Sequence, residues 1–262
     1  MTPVLQSSFQ SKPPRHMLAP WRRGGVVVTS IMFTYTMTHQ EANDTRATIS
    51  RVLPIVGSAH NKWIAVSDIT ERNDVRRNIF EGLSKSLNSY YAVLAPLSGK
   101  PCFESLIKLP NASLATNFAN EVFTFCKWGY LVNTWVLVEE CFRDIAAIST
   151  IDPSGKIKHV INAVLKVYEC QQFADLVHIL RVIRNLQHSN GIYCQPRPEG
   201  PYSWNGKMVN FVSGQPAESW VLHEDFLIDE VQRDLVRCFE GIFLHQNVSD
   251  MHHIPRRLLL PE

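Results

Sequence analysis

Apolar residues recur at helical spacing through most of the chain beyond about residue 41, and this pattern predicts a succession of helices. A first helix is predicted over residues 41–56, where Pro54 should cut or kink it because proline lacks the backbone N–H. A second helix is predicted over residues 71–97, with Asp74 as its N-terminal cap and Pro96 near its end.

The longest apolar run covers residues 117–148 and contains no proline, so it predicts one long central helix in the core. Glu139 and Arg143, one turn apart near its end, should form a stabilising pair. The nearly continuous apolar part, from Trp128 to Val138, is too short to cross a bilayer. Six positions of the run recur at helical spacing: Phe118, Val122, Phe125, Gly129, Val132 and Val136.

The second half of the chain predicts more helices and one hairpin. Residues 157–170 and 173–188 predict two helices, or one helix with a break around Gln171. Asn205-Gly206 lies between two short β-type runs, which predicts a hairpin with a type I′ turn. Residues 218–246 predict a final amphipathic helix, whose apolar face repeats once per turn at Leu227, Val231, Leu235, Phe239 and Phe243.

These elements predict a mostly α fold, a helical bundle with one short β-hairpin near residues 202–213. Four regions are expected. Residues 1–38 would be a disordered or misassigned N-terminal extension, and residues 39–100 a helical region that packs on the core. Residues 101–248 would form the main helical domain, and residues 249–262 a tail.

Composition excludes some classes of protein. A chain of 262 residues with 45% apolar and 19% charged residues belongs to a globular protein. The formal net charge is only +2, and no acidic residue precedes Glu41, so the folded part is about neutral. A nucleic-acid site must therefore be a local patch. The six scattered cysteines include no C-x-x-C pair, which indicates buried thiols and a reducing, cytoplasmic location. No membrane anchor is predicted.

The helix predicted over residues 173–188 carries an unusual polar face. At about 100° per residue, five polar side chains fall in one wedge and apolar residues cover the rest of the helix. The wedge consists of His178, Arg181, Arg184, Asn185 and His188. Buried cations are costly unless they are paired or solvated, so this wedge must face an acidic partner, a water-filled cleft or an anion.

Two interpretations of the wedge follow from the residues. The arginines could be neutralised by Glu139, Glu140 or Asp144 of the preceding helix. Alternatively, the wedge could act on a phosphate. His188 would then move a proton while an arginine stabilises the phosphorane oxygens. The helix dipole raises and the nearby arginines lower the pKa of His188, so the net direction stays open.

The stretch IRNLQHSNGIY, with Arg184-Asn185 and His188, resembles the signature of the HEPN superfamily of small all-α nucleotide-binding and ribonuclease domains. Such a motif has an Arg, often followed by Asn, and a His near the end of the same helix. The resemblance covers about residues 114–245. Three residues separate Arg184 from His188 and six separate Arg181 from His188, so either arginine could be that of the motif.

The resemblance implies a ribonuclease that needs no metal or cofactor and attacks RNA through the ribose 2′-hydroxyl. Arg181, Arg184, Asn185 and His188 would be catalytic, with Asn185 orienting the phosphate or the histidine. It also implies a homodimer in which two motifs meet, a role in bacterial defence or as a toxin, and a protein antitoxin as a partner. The candidate substrate-binding residues are His178, Asn190 and Tyr193.

A second interpretation of the same resemblance is a catalytically inactive module that binds RNA, a nucleotide or a partner protein. Other candidate sites are weaker. His245, His252 and His253 lack regular metal-ligand spacing and are expected in a solvated tail, and Trp204 at the hairpin is expected to pack back on the helices.

Overall fold

The computed structural model describes residues 39–66, 74–98, 112–186 and 191–256, which belong to one compact unit covering Thr34–Glu262. The predicted extension at residues 1–38 lies outside the described residues. The helices are α1 His39–Val66, α2 Val75–Ser98, α3 Ala112–Ala147, α4 Ile157–Val167, α5 Ala174–Leu186, α6 Val231–Leu244 and α7 Gln246–Ser249. Strands β1 Glu199–Trp204 and β2 Lys207–Phe211 form one antiparallel hairpin. The predicted mostly α fold with a late hairpin is confirmed.

Pro54 does not end the first helix, because α1 continues through it to Val66. Proline removes a single backbone hydrogen bond, and the loss is local. Ile49, Val52 and Val56 are fully buried on either side of it, so side-chain packing holds the two halves in one helix.

The second helix begins as predicted. Asp74 Oδ1 accepts a hydrogen bond from the Arg76 backbone N–H at 2.8 Å, so Asp74 is the N-terminal cap of α2. Pro96 lies in the last turn of α2, which ends two residues later at Ser98.

The prediction that residues 249–262 form a tail is wrong for residues 249–256, which pack against the start of α2. Ile254 is fully buried, its backbone N–H donates to Asp74 Oδ2 at 3.0 Å, and its carbonyl accepts from Val75 N at 3.0 Å. The buried Arg76 guanidinium pairs with Asp74 at 2.8 Å. The chain therefore returns to the start of α2, where the buried Asp74 carboxylate accepts hydrogen bonds from both Arg76 and Ile254. Residues 257–262 lie outside the described part.

The long helix α3 is present, but its apolar stripe from Phe118 to Val136 does not face the core. Phe125 is 78% exposed and Phe118 is 53% exposed. The core face of α3 instead carries Phe123, Tyr130 and Trp135. Because α3 is apolar nearly all round, helical spacing alone does not distinguish the buried face from the exposed one.

The region from α4 to the β-hairpin folds largely as its sequence pattern predicts. A 3₁₀ turn at Gln171–Phe173 separates α4 from α5, so these are two helices. Asn205 and Gly206 have φ of 48° and 75°, the positive values that a type I′ turn requires. Trp204 packs on Phe173, with ring centroids 6.2 Å apart, as expected.

The final helix differs from its prediction in its first half. Ser219–Leu222 is a 3₁₀ turn, Asp225–Glu230 is π-helical, and only Val231–Leu244 is an α-helix. The predicted apolar face is nevertheless confirmed, since Leu227 and Phe243 at its two ends, and the three residues between them, are all buried. Among the described helices, none is both long and apolar enough to cross a membrane.

Candidate functional site

Helix α5 is buried on every side except the predicted polar wedge. Its eight buried residues include Leu176, Ile179 and Leu180, whereas Arg181 and Arg184 are half-buried. The helix is therefore held in the core by apolar contacts, and its two guanidiniums lie at the edge of that core.

Arg181 is neutralised by a carboxylate from the hairpin. Its Nη2 donates to Glu199 Oε2 at 2.6 Å. The same oxygen accepts from Tyr202 OH at 2.5 Å and from Lys158 Nζ at 3.2 Å. Burial alone would raise the pKa of Glu199, but the hydrogen bond from Tyr202 and the charge of Arg181 outweigh it and hold that pKa below its usual range. Glu199 is therefore ionised at neutral pH and bridges α4, α5 and β1.

Two of the three acidic residues of α3 that could have neutralised the arginines, Glu139 and Glu140, have other partners. Glu139 pairs with Arg143 at 2.9 Å, which confirms the predicted one-turn pair, and Glu140 pairs with Arg256. Sequence reasoning missed Glu199 because it lies in a proline-rich loop and strand. One signal was present: Glu199 is the only acidic residue between Asp175 and Glu218.

Arg184 has a different environment from Arg181, although the two lie one turn apart. Its Nη1 donates to Asn185 Oδ1 at 3.1 Å, and no carboxylate of the described residues pairs with it. The Asn185 oxygen is thereby turned toward Arg184, which leaves the Asn185 amide nitrogen as a further donor. Arg184 lies in the last turn of α5, where the helix dipole stabilises its positive charge. Its guanidinium N–H groups are the donors that suit an anion.

His178 lies in the core and not on the half-exposed part of the wedge. Its Nε2 is 2.7 Å from Asn162 Oδ1, so Nε2 carries the proton and donates. Burial, together with the positive charges of Arg181 and Lys158, lowers the pKa of His178 to about 4, with Glu199 opposing the shift. His178 is thus neutral at pH 7, and its buried Nδ1 has no hydrogen-bond partner among the residues that the structure describes.

Tyr193 is also buried, on the chain segment that follows α5. Its hydroxyl donates to the Arg197 carbonyl at 2.9 Å, and its ring packs on Phe211 at 5.8 Å. Gly191 has φ of 82° and donates to the Leu186 carbonyl at 3.0 Å, so the chain reverses soon after α5 as Ser-Asn-Gly predicts.

Two of the predicted site residues, His188 and Asn190, lie outside the described residues. The structure thus brings Arg184 and Asn185 together, assigns Arg181 to Glu199, and places His178 and Tyr193 in the core. Within the described ranges, no group of three His, Cys, Asp or Glu side chains is placed to hold a metal ion.

Comparisons with protein-family models, with curated proteins and with solved structures find no match for this chain. The resemblance to the HEPN superfamily stays a prediction from the sequence of α5.

Proposed function

We propose that this protein is a HEPN-like, metal-independent ribonuclease whose site lies at the C-terminal end of α5. The main support for this proposal is that the two arginines of that helix differ in whether they have an acidic partner. Arg181 is paired with Glu199. Among the described residues, Arg184 has no carboxylate partner, and its one side-chain hydrogen bond there is to Asn185. A half-buried guanidinium without an acidic partner is suited to a phosphate.

The proposed reaction uses three side chains of the α5 sequence motif, namely Arg184, Asn185 and His188. His188 takes the proton from a ribose 2′-hydroxyl, and the resulting oxygen attacks the adjacent phosphorus. Arg184 stabilises the negative phosphorane oxygens and Asn185 orients the phosphate. The bond from phosphorus to the 5′-oxygen then breaks, and that oxygen takes up a proton. The products are a 2′,3′-cyclic phosphate and a 5′-hydroxyl end.

RNA incubated with the purified chain in EDTA tests this reaction. We expect wild type to cut RNA and to leave 2′,3′-cyclic phosphate ends, and we expect His188→Ala to be at least about 100-fold slower, the loss usual for a general base. RNA with a 2′-deoxyribose at the cleaved position should stay intact. Cleavage that requires a divalent metal, or that leaves a 5′-phosphate, would contradict the proposal.

A catalytically inactive module that binds RNA or a nucleotide is the second candidate. It is favoured by the Arg181–Glu199 pair, because that pair removes one of the two cations of the wedge from contact with phosphate. In that case wild type would leave RNA intact, and Arg184→Ala would weaken its binding. A homodimer, a defence role and a protein antitoxin belong to the HEPN proposal and stay predictions.

A further inference from the structure

The exposed apolar stripe of α3 has the spacing of a coiled-coil seam. Its positions are separated alternately by four and three residues, which is the heptad pattern that brings two helices together along their length. Phe125 and Phe118 are the most exposed, and Val136 is 40% exposed. Val122 and Val132 are half-buried beside them. We call this the α3 seam: Phe118, Val122, Phe125, Gly129, Val132 and Val136.

The middle of the α3 seam is an open space. Gly129 is exposed, and a Cβ atom added to it would meet no atom within 4 Å. Glycine costs about 1 kcal/mol relative to alanine inside a helix, so its presence halfway along α3 works against helix stability. A glycine at that position does, however, let a large side chain from another helix approach the backbone closely.

We propose that the α3 seam packs against the α3 seam of a second copy of this chain, antiparallel, about a two-fold axis. In an antiparallel pair of identical helices, the residue number rises along one helix as it falls along the other, so the numbers of two facing residues always add up to the same value. If the two-fold axis passes midway between Phe125 and Gly129, that value is 254 for every pair of the seam. The resulting pairs are Phe118 with Val136, Val122 with Val132, and Phe125 with Gly129 of the second copy.

This register explains why the occupant is a second copy. The two phenylalanines of one half of the seam meet smaller residues of the other half, Val136 and Gly129. The ring of Phe125 fills the space over Gly129 of the second copy. A parallel arrangement would set Phe125 against Phe125 and leave a void between the two glycines. The antiparallel contact uses the same surface on both copies, so it closes as a dimer.

The exposed area falls slightly short of what a stable, specific dimer buries. With about 200 Å² for a phenylalanine side chain, the exposed parts of Phe118 and Phe125 total roughly 260 Å² per copy, or about 500 Å² in the dimer. Interfaces are roughly 60% apolar, so the whole contact is about 900 Å². Specific, stable interfaces begin near about 1,000 Å², so a contact of this size is expected to form a weak, transient dimer. This inference does not depend on ribonuclease activity.

Sedimentation velocity of the full chain over about 1–300 μM tests the dimer, a range high enough to populate a weak, transient association. Phe125→Ala should raise the dissociation constant about 100-fold, because two rings are lost per dimer. Gly129→Phe should also weaken the dimer, since it fills the space that receives Phe125. The double variant Phe125→Ala/Gly129→Phe restores one large and one small residue in each pair, and it should recover the affinity.

Val93→Ala is the matched control, since Val93 on α2 is as exposed as Val136 but lies off the seam. It should leave the dissociation constant unchanged, and circular dichroism should show all variants folded. A wild-type chain that stays monomeric throughout the range would overturn the inference. So would a dimer that is insensitive to both single substitutions, or a double variant that fails to recover.

Discussion

At the scale of single residues, two arginines one turn apart on α5 have opposite relations to their surroundings. Arg181 is held by Glu199 on β1, which also binds Tyr202 and Lys158. Arg184 contacts Asn185 and no carboxylate of the described residues. The first arginine therefore joins the hairpin to the helices, whereas the second has no acidic partner among the described residues.

Glu199→Ala should destabilise the fold more than Lys158→Ala, which removes an exposed partner of the same carboxylate. It leaves Arg181, whose side chain is only 12% exposed, without its counter-charge, which should lower the free energy of unfolding by about 3 kcal/mol. Lys158→Ala removes an exposed contact to the same oxygen and should cost less than about 1 kcal/mol. Urea unfolding at pH 7 measures both, and equal effects would show that Glu199 does not hold Arg181.

His178 should make stability depend on pH. Its pKa is about 4 in the folded chain against 6.5 for the free side chain, so between these values the unfolded chain binds more protons. The folded state should therefore lose about 3 kcal/mol as the pH falls from 6.5 to 4, at about 1.4 kcal/mol per pKa unit.

Urea unfolding at pH 7, 5.5 and 4.5 checks this dependence. His178→Gln, which keeps an N–H donor for Asn162, is the control and should have a flatter profile over that range. Identical profiles for wild type and variant would contradict a neutral, buried His178.

At the level of helices and strands, turns and helix caps could be predicted from the sequence, whereas the buried face of α3 could not. The Asn205-Gly206 turn and the Asp74 cap follow from the backbone needs of a few adjacent residues. The buried face of α3 depends on which neighbours pack on it, and an all-round apolar helix offers several choices. The partner of Arg181 was likewise unpredictable, because Glu199 reaches it only through the fold of the hairpin.

Two phenylalanines of α3, two residues apart, test which face is buried. Phe123 is 2% exposed and Phe125 is 78% exposed. Phe123→Ala should lower the free energy of unfolding by about 3–5 kcal/mol, because it leaves a cavity in the core. Phe125→Ala should change it by no more than about 0.5 kcal/mol, as expected of a surface residue. Thermal or urea unfolding, carried out at a concentration where the chain is monomeric, separates the two, and a large cost at Phe125 would contradict the exposed seam.

At the scale of the whole molecule, the candidate site is a small cationic patch on a chain that carries a net charge of only +2. RNA affinity should therefore depend weakly on salt, with a slope of log K against log salt near −1 to −2, because few phosphates are contacted. Filter binding between low and moderate salt measures this slope. A slope steeper than about −5 would indicate a broad basic surface in place of one local site.

If the end of α5 acts on RNA through Arg184, removing this side chain should strongly slow cleavage, whereas removing a nearby exposed arginine should not. RNA cleavage in EDTA is measured for Arg184→Ala and for Arg197→Ala, which removes the same charge from an exposed position of the loop that follows α5. We expect Arg184→Ala to reduce the rate by about 100-fold or more, as loss of an oxyanion donor does, and Arg197→Ala to match wild type. Equal rates for the two variants would contradict the claim.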